Sequence, residues 1–304
     1  MIITTPPYLN PGETIGIVCP AGYMAFEKAA ECVRILQEEW GYKVKVGNTL
    51  GSKSTTYFSG TDEERLMDFQ AMLDDDEVKA ILCGRGGYGM GRIIDRLNFK
   101  KFKKKPKWVI GFSDITIFHT HLYANYYISS LHAPMAAAFN EEGAKNEYVL
   151  SLKEALEGKW AKYVSDGHKL NRTGEAVGEL VGGNLALLVH GIGTPSEVKT
   201  KHRILFIEDI GEQKYSIDRM MVQLKRSGKL KRLAGLVVGR FADTGDTERP
   251  FGATIEEIIL DAVKEYKYPV CFNFPVSHEK ENYALKIGVG YKLKVGKSRI
   301  SLEE

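Results

Sequence analysis

Residues 108–116 read WVIGFSDIT: an apolar run, a small residue at Gly111 two positions before Ser113, and then a stretch competent to form a helix. A strand, a tight turn and a helix in that order lift the side chain of the turn above the carboxyl edge of a sheet and aim it at solvent. The first amides of the following helix carry a partial positive charge suited to a developing oxyanion, and the backbone N–H of Asp114 is the nearest such donor. The match to G-x-S-x-G is incomplete, because Asp114 and Thr116 stand where a second glycine would help. Serine is also a preferred helix cap, so a plain capping role for Ser113 stands beside the catalytic one.

Outward from this stretch the same alternation continues. Toward the N-terminus, strands are predicted over residues 14–19, 42–46 and 78–83, with helices over 26–40, 62–73 and 92–97, the second entered by Thr61 or Asp62 as a cap. Residues 115–124 form the helix after Ser113. β-runs alternating with amphipathic helices specify a mainly parallel sheet covered by helices, so the fold class is α/β. The stretch 148–175 reads as polar and weakly periodic, which places a boundary there: a domain at 1–165 carrying the serine turn, and a smaller α/β domain at 176–304. In the latter, strands are expected at 178–181, 203–207, 236–239 and 285–288, with helices at 218–227 and 254–265.

The chain has 304 residues, 43% hydrophobic and 27% charged, which at about 100–200 residues per domain agrees with two domains and an ample core. Its 42 basic and 39 acidic residues leave a net charge of +3, a weak field for a polyanion. The one basic run, Lys100 to Lys107, has no aromatic interleaving and reads as a solvated connection, so no nucleic acid is expected as a partner. The four cysteines, at 19, 32, 83 and 271, form no CxxC pair and read as small buried thiols, with no metal site and no cofactor implied. The opening MIITTPPYLNPGETIGIVCP lacks a basic leader before an apolar core, and no run approaches the ~20 apolar residues that span a bilayer. A cytoplasmic enzyme with no membrane partner is the expectation.

A second glycine-rich turn, CGRGGYGMG, carries G-x-G-x-x-G at Gly84, Gly86 and Gly89 between a strand and a helix. That is the setting of a dinucleotide fingerprint. It follows a middle strand, however, and no acidic residue ends a strand ~20 residues on. A non-catalytic nucleotide-binding protein is thus one reading. The other is that Gly86 or Gly87 lets the backbone approach substrate and offers a second N–H to the oxyanion served by Asp114. Arg85 is placed either to hold a substrate carboxylate or in a structural ion pair.

A serine nucleophile needs a base, and the base needs an acceptor that fixes its tautomer. Of seven histidines, His119 and His121 sit two apart on one helix and His132 precedes Ala133 and Pro134, placements that suit structure better than ligation. His168, His190 and His202 have no acidic neighbour in sequence. His278 instead lies in the polar loop of FPVSHEKENYALKIG, where catalytic groups are favoured. Glu208 closes RILFIED at a carboxyl edge, with Asp209 its rival, since alternation lets only one of them face a given side.

With these residues assembled, the chain resembles the L,D-carboxypeptidase family of serine peptidases, which includes the microcin C self-immunity hydrolases. The resemblance runs through PGETIGIVCPAG, GRGGYGMGRIID, IGFSDIT followed by LHAPM, GELVGGNL, LFIEDIGEQKYSIDRMMVQLKRSGKL, LVVGRF and PVSHEKENYALKIG. It implies Ser113 as nucleophile, His278 as general base and acid, Glu208 as the carboxylate orienting His278, and an oxyanion hole at Asp114 and the Gly86/Gly87 turn. It further implies a flavodoxin-like or class I amidotransferase-like first domain, a homodimer, and removal of a C-terminal D-amino acid from cytoplasmic murein tetrapeptide. Hydrolysis of peptidyl or aminoacyl nucleotides is the alternative within the same family. Family members often have glycine before the histidine, where this chain has Ser277.

Overall fold

The computed structural model describes residues 2–304. In chain order the elements are β1 (Thr14–Val18), α1 (Ala30–Arg34), β2 (Lys43–Val46), α2 (Asp62–Asp74), β3 (Val78–Cys83), α3 (Met90–Ile93), β4 (Trp108–Gly111), α4 (Thr116–Tyr126), β5 (Ser130–His132), α5 (Glu147–Leu156), β6 (Lys162–Asp166) and β7 (Gly174–Asn184). They continue with α6 (Leu185–His190), β8 (Ile204–Ile210), α7 (Lys214–Arg226), β9 (Gly235–Ala242), α8 (Ile255–Ala262), β10 (Val270–Cys271), β11 (Leu285–Ile287), β12 (Gly290–Val295) and β13 (Arg299–Glu303). The chain divides into two compact units, one running to Trp160 and taking back Tyr283–Gly288, the other comprising Ala161–Asn282 and Val289–Glu304.

The first unit is built on a six-stranded sheet of order β11-β5-β4-β3-β1-β2. All neighbouring pairs from β2 to β5 are parallel, and β11 adds antiparallel to β5. The parallel order 2-1-3-4-5 is the flavodoxin-like doubly wound arrangement, whose ligand crevice lies beyond the carboxyl ends of its strands. Ile17, Val18, Ile81 and Val109 are fully buried, as strands covered on both faces require. The apolar core gathers Ile15, Ile17, Leu36, Leu82, Trp108, Ile110, Phe139 and Leu152. Helix α2 starts on a reciprocal capping box, Thr61 Oγ1 accepting from Glu64 N while Thr61 N donates to the Glu64 carboxylate.

Two stretches depart from the reading of the sequence. The helix expected over 26–40 is a 3-10 turn, the short α1 and then a π turn over Ile35–Glu39, closed by Trp40 N donating to Ile35 O. Within 148–175, α5 is a true helix: Asn146 caps it, and Val149, Leu152, Ala155 and Leu156 bury one stripe. The basic run is also more engaged than a solvated connection. The Lys107 ammonium is buried against the C-terminal carbonyls of α2, donating to Met72 O at 3.1 Å and to Asp75 O. Burial pulls its pKa down to about 8.

The second unit carries a seven-stranded sheet of order β10-β9-β8-β7-β12-β13-β6. It is parallel from β10 to β7 and antiparallel from β7 through β12 and β13 to β6. In the pairing of β8 with β9, Ile207 stands opposite Val238 but Asp209 opposite Phe241, so Gly239 and Arg240 together face Glu208 alone. This is a β-bulge, which bends its strand and re-aims the side chains beside it. No helix among the described residues is long and apolar enough to cross a membrane.

Candidate active site

Ser113 lies two residues beyond the end of β4, at φ 61° in the left-handed region, where a non-glycine residue costs on the order of 1–3 kcal/mol. Phe112, extended at φ −147°, occupies the cap position of the 3-10 turn Ser113–Ile115, and no side chain caps that turn. The capping explanation for Ser113 therefore falls away, since a cap residue needs the extended backbone that Phe112 has taken. What remains is a strained strand-to-helix elbow. Gly111 is required before it: a Cβ there would lie 2.9 Å from Ile115 Cγ1.

The glycine-rich turn after β3 presses against this elbow. A Cβ on Gly86 would stand 2.9 Å from Ser113 Cβ, 3.2 Å from its Oγ and 3.4 Å from Asp114 N, so glycine is what allows the two backbones to touch. Gly87 takes φ 96°, which glycine adopts without strain. Asp114, almost wholly buried, accepts a 2.7 Å hydrogen bond on Oδ2 from Met90 N, tying the serine turn to the start of α3. Arg85 is exposed and donates to Tyr23 O at 2.7 Å, a backbone tether in place of the ion pair considered from sequence.

Sequence reasoning missed Arg65. On an amphipathic helix it reads as a surface cation, yet it is fully buried, donating from Nη1 to Pro20 O at 2.5 Å and Gly89 O at 3.1 Å and pairing with Asp62. Its guanidinium lies 4.8 Å above the Phe58 ring centroid. It thereby joins the turn after β1 to the glycine-rich turn after β3. His119, also buried, donates from Nε2–H to Gly111 O at 2.8 Å, which leaves Nδ1 to accept from Ser130 Oγ at 2.8 Å. Burial lowers its pKa to about 4. All four cysteines are buried free thiols, and burial pushes Cys19 up to about 12.

In the second unit the rival carboxylates on β8 separate cleanly. Glu208 is fully buried and accepts a 2.6 Å hydrogen bond on Oε2 from His278 Nδ1. With the proton held on Nδ1, the neutral ring presents Nε2 as its basic nitrogen. Asp209 turns the other way and accepts from Asn184 Nδ2 at 2.7 Å, Ala186 N at 2.9 Å and its neighbour Ile210 N at 2.9 Å, anchoring the start of α6. Burial raises its pKa to about 6. A buried carboxylate on an imidazole is an arrangement that orients a base and stabilises its protonated form. Among the described residues no cluster of three or more His, Cys, Asp or Glu is arranged to hold a metal ion.

A family model described as the LD-carboxypeptidase N-terminal domain matches residues 15–133, and a second, described as the LD-carboxypeptidase C-terminal domain, matches residues 177–293. The chain is 37% identical over 288 residues to a probable murein peptide carboxypeptidase of Bacillus subtilis, covering 93% of this chain and 89% of that protein. Among solved structures it is similar to muramoyltetrapeptide carboxypeptidase from Oxalobacter formigenes, at 28% identity and a TM-score of 0.86, covering 95% of this chain and 98% of that one. The microcin C7 self immunity protein MccF, solved in complex with aspartyl sulfamoyl adenosine, has a TM-score of 0.87 at 21% identity, covering 100% and 98% of the two chains. That last likeness concerns the fold alone.

Proposed function

Because the chain belongs to the LD-carboxypeptidase family, we propose that it is a serine peptidase that cleaves the amide between an L-configured centre and a terminal D-amino acid. The substrate in this reading is a cytoplasmic murein tetrapeptide, released during wall turnover, and the protein acts as a homodimer. The observation that carries the proposal is Ser113, a non-glycine residue held left-handed at the end of a buried strand, with Gly86 against its side chain.

In this mechanism the Ser113 hydroxyl attacks the scissile carbonyl as His278 Nε2 takes its proton. Glu208 holds the imidazole tautomer and stabilises the imidazolium. The oxyanion accepts from the backbone N–H of Asp114 and of the Gly86/Gly87 turn, donors that are worth most where water is excluded. His278 returns the proton to the leaving amine, and water then releases the acyl group by the same route reversed. Arg85 serves the substrate carboxylate in this scheme, its remaining guanidinium nitrogens being suited to that acceptor.

The alternative is hydrolysis of a peptidyl or aminoacyl nucleotide, which asks for an aromatic platform and a larger pocket. Strands β6 and β7 take up most of the stretch where a long substrate loop would insert, leaving only residues 167–173 between them. This favours the murein peptide. Parallel assays on a murein tetrapeptide and an aminoacyl sulfamoyl adenylate, each with wild type and Ser113→Ala, test both readings. D-alanine release by wild type alone is the expected result, and turnover by Ser113→Ala would overturn the nucleophile.

A further inference from the structure

The loop bearing His278 has no regular hydrogen-bonded backbone of its own, so something else must hold the imbedded imidazole in one place. Ser277 is fully buried, and its Oγ both accepts from Glu279 N and donates to Glu281 O, each at 2.9 Å. The hydroxyl thus closes the turn around His278 from inside, where a glycine would leave both groups unbonded. From outside, Arg240 reaches across to both flanking carboxylates: Nη1 to Glu279 Oε2 at 3.1 Å and Nη2 to Glu281 Oε1 at 2.9 Å.

Arg240 belongs to the bulge that faces Glu208. Its backbone N donates to Val276 O at 3.1 Å, two residues before His278. Gly239, beside it, has no room for a side chain: a Cβ would lie 2.2 Å from Val276 O and 3.2 Å from Glu208 Cβ. One bulge therefore sets the strand against the loop, holds the loop's first backbone group and supplies the cation that grips its far side. The same two residues stand opposite Glu208, the acceptor of the imidazole.

We propose that Gly239, Arg240 and Ser277 are positioning residues for His278, with Arg240 clamping the histidine turn through Glu279 and Glu281. The inference rests on His278 being the general base. Exposed ion pairs of this kind add little to global stability. Misplacing a reacting group by about 1 Å costs roughly 10²-fold in rate. The clamp should then matter to turnover far more than to folding, which separates it from an ordinary structural pair.

The test compares Arg240→Met, Arg240→Lys, Ser277→Ala and the double variant Glu279→Gln/Glu281→Gln, with His278→Ala as reference, on a murein tetrapeptide. Arg240→Met is expected to lower kcat roughly 10- to 100-fold, with KM within about twofold and the melting temperature nearly unchanged; Arg240→Lys should recover part of the loss. An unchanged kcat, or a higher KM at constant kcat, overturns the proposal. If Arg240→Met proves unstable, the carboxylate double variant severs the same pairs from the solvent side, and full turnover there also overturns it. The His278 Nδ1 proton, identified in histidine-labelled protein as the resonance missing from His278→Ala, should broaden or vanish in Arg240→Met. Activity surviving in His278→Ala would sink the general-base reading instead, and the Nδ1 resonance would still decide whether Arg240 fixes the ring.

Discussion

The serine turn and the histidine loop do comparable work with opposite means. Ser113 is placed by regular backbone: a buried parallel strand stops, a helix begins, and the residue between them is driven left-handed while Gly86 fills the space behind it. His278 is placed by side chains, through Glu208 on the ring, Ser277 within the turn and Arg240 across it. A backbone device depends on volume and torsion, so it should fail when atoms are added. A side-chain device depends on partners, so it should fail when they are removed.

The largest expected effect removes the proposed nucleophile. Ser113→Ala should cut kcat by at least about 10⁴-fold on a murein tetrapeptide and, by relieving nothing else, leave circular dichroism and oligomeric state intact. Next is Glu208→Gln, which keeps the volume but presents the wrong partner to Nδ1; a loss of roughly 10³- to 10⁴-fold in kcat is expected, and activity within a few-fold of wild type would contradict the role given to the pair. Gly86→Ala tests the backbone device by addition. Its methyl would sit 2.9 Å from Ser113 Cβ, and a fall of about 10²-fold in kcat with a lowered melting temperature is expected, whereas Arg85→Ala on the same turn should mainly raise KM.

The smallest effect is on stability and distinguishes the two regions by sign. His119 bonds Gly111 beneath the serine turn and has its pKa lowered by burial to about 4. Its contribution is therefore present above the unfolded histidine value near 6.5 and is lost as pH falls toward 4. Between pH 7 and 5 this amounts to about 2 kcal/mol. Asp209, raised by burial to about 6, acts in reverse: its ionisation opposes folding as pH rises from about 3.8 to 6, so acid restores stability there. Chemical denaturation at pH 7 and pH 5 should show a smaller acid loss in His119→Gln than in wild type; equal losses would remove His119 from the account.

What was legible in the sequence followed this division. WVIGFSDIT announced its strand, turn and helix because backbone regularity writes a period of apolar residues, and the α/β class follows from repeating that unit. Glu208 was legible as a charge in an apolar strand, and Asp209 as its rival, because alternation fixes that one faces away from the other, although β8 runs past both to Ile210 and does not end at Glu208. The partners of the histidine loop were not. Arg240 lies 39 and 41 residues before Glu279 and Glu281, and a bulge leaves no mark on composition. Arg65 hid in the charged run of α2, where nothing local distinguishes a buried guanidinium from an exposed one. Helix α5 was overlooked because Ser151, Lys153 and Glu154 interrupt its apolar positions, and β11 was read as a strand of the second domain, whereas it pairs with β5 in the first sheet, because three residues carry no pairing information.

That three-residue strand has a consequence for how the protein can be made and taken apart. Leu285–Ile287 pairs with Ser130–His132 and covers the outer edge of the first sheet, although it is synthesised more than 150 residues later. A nascent chain must wait with β5 uncovered until that distant segment emerges, holding open a strand edge of the kind that recruits other chains. A stop codon after Trp160 would make that wait permanent. A separately expressed first unit should accordingly aggregate unless residues 283–288 are grafted back onto it, and recovery of a soluble monomer by that short graft would show how much of the unit's solubility rests on a strand encoded so far from the rest of it.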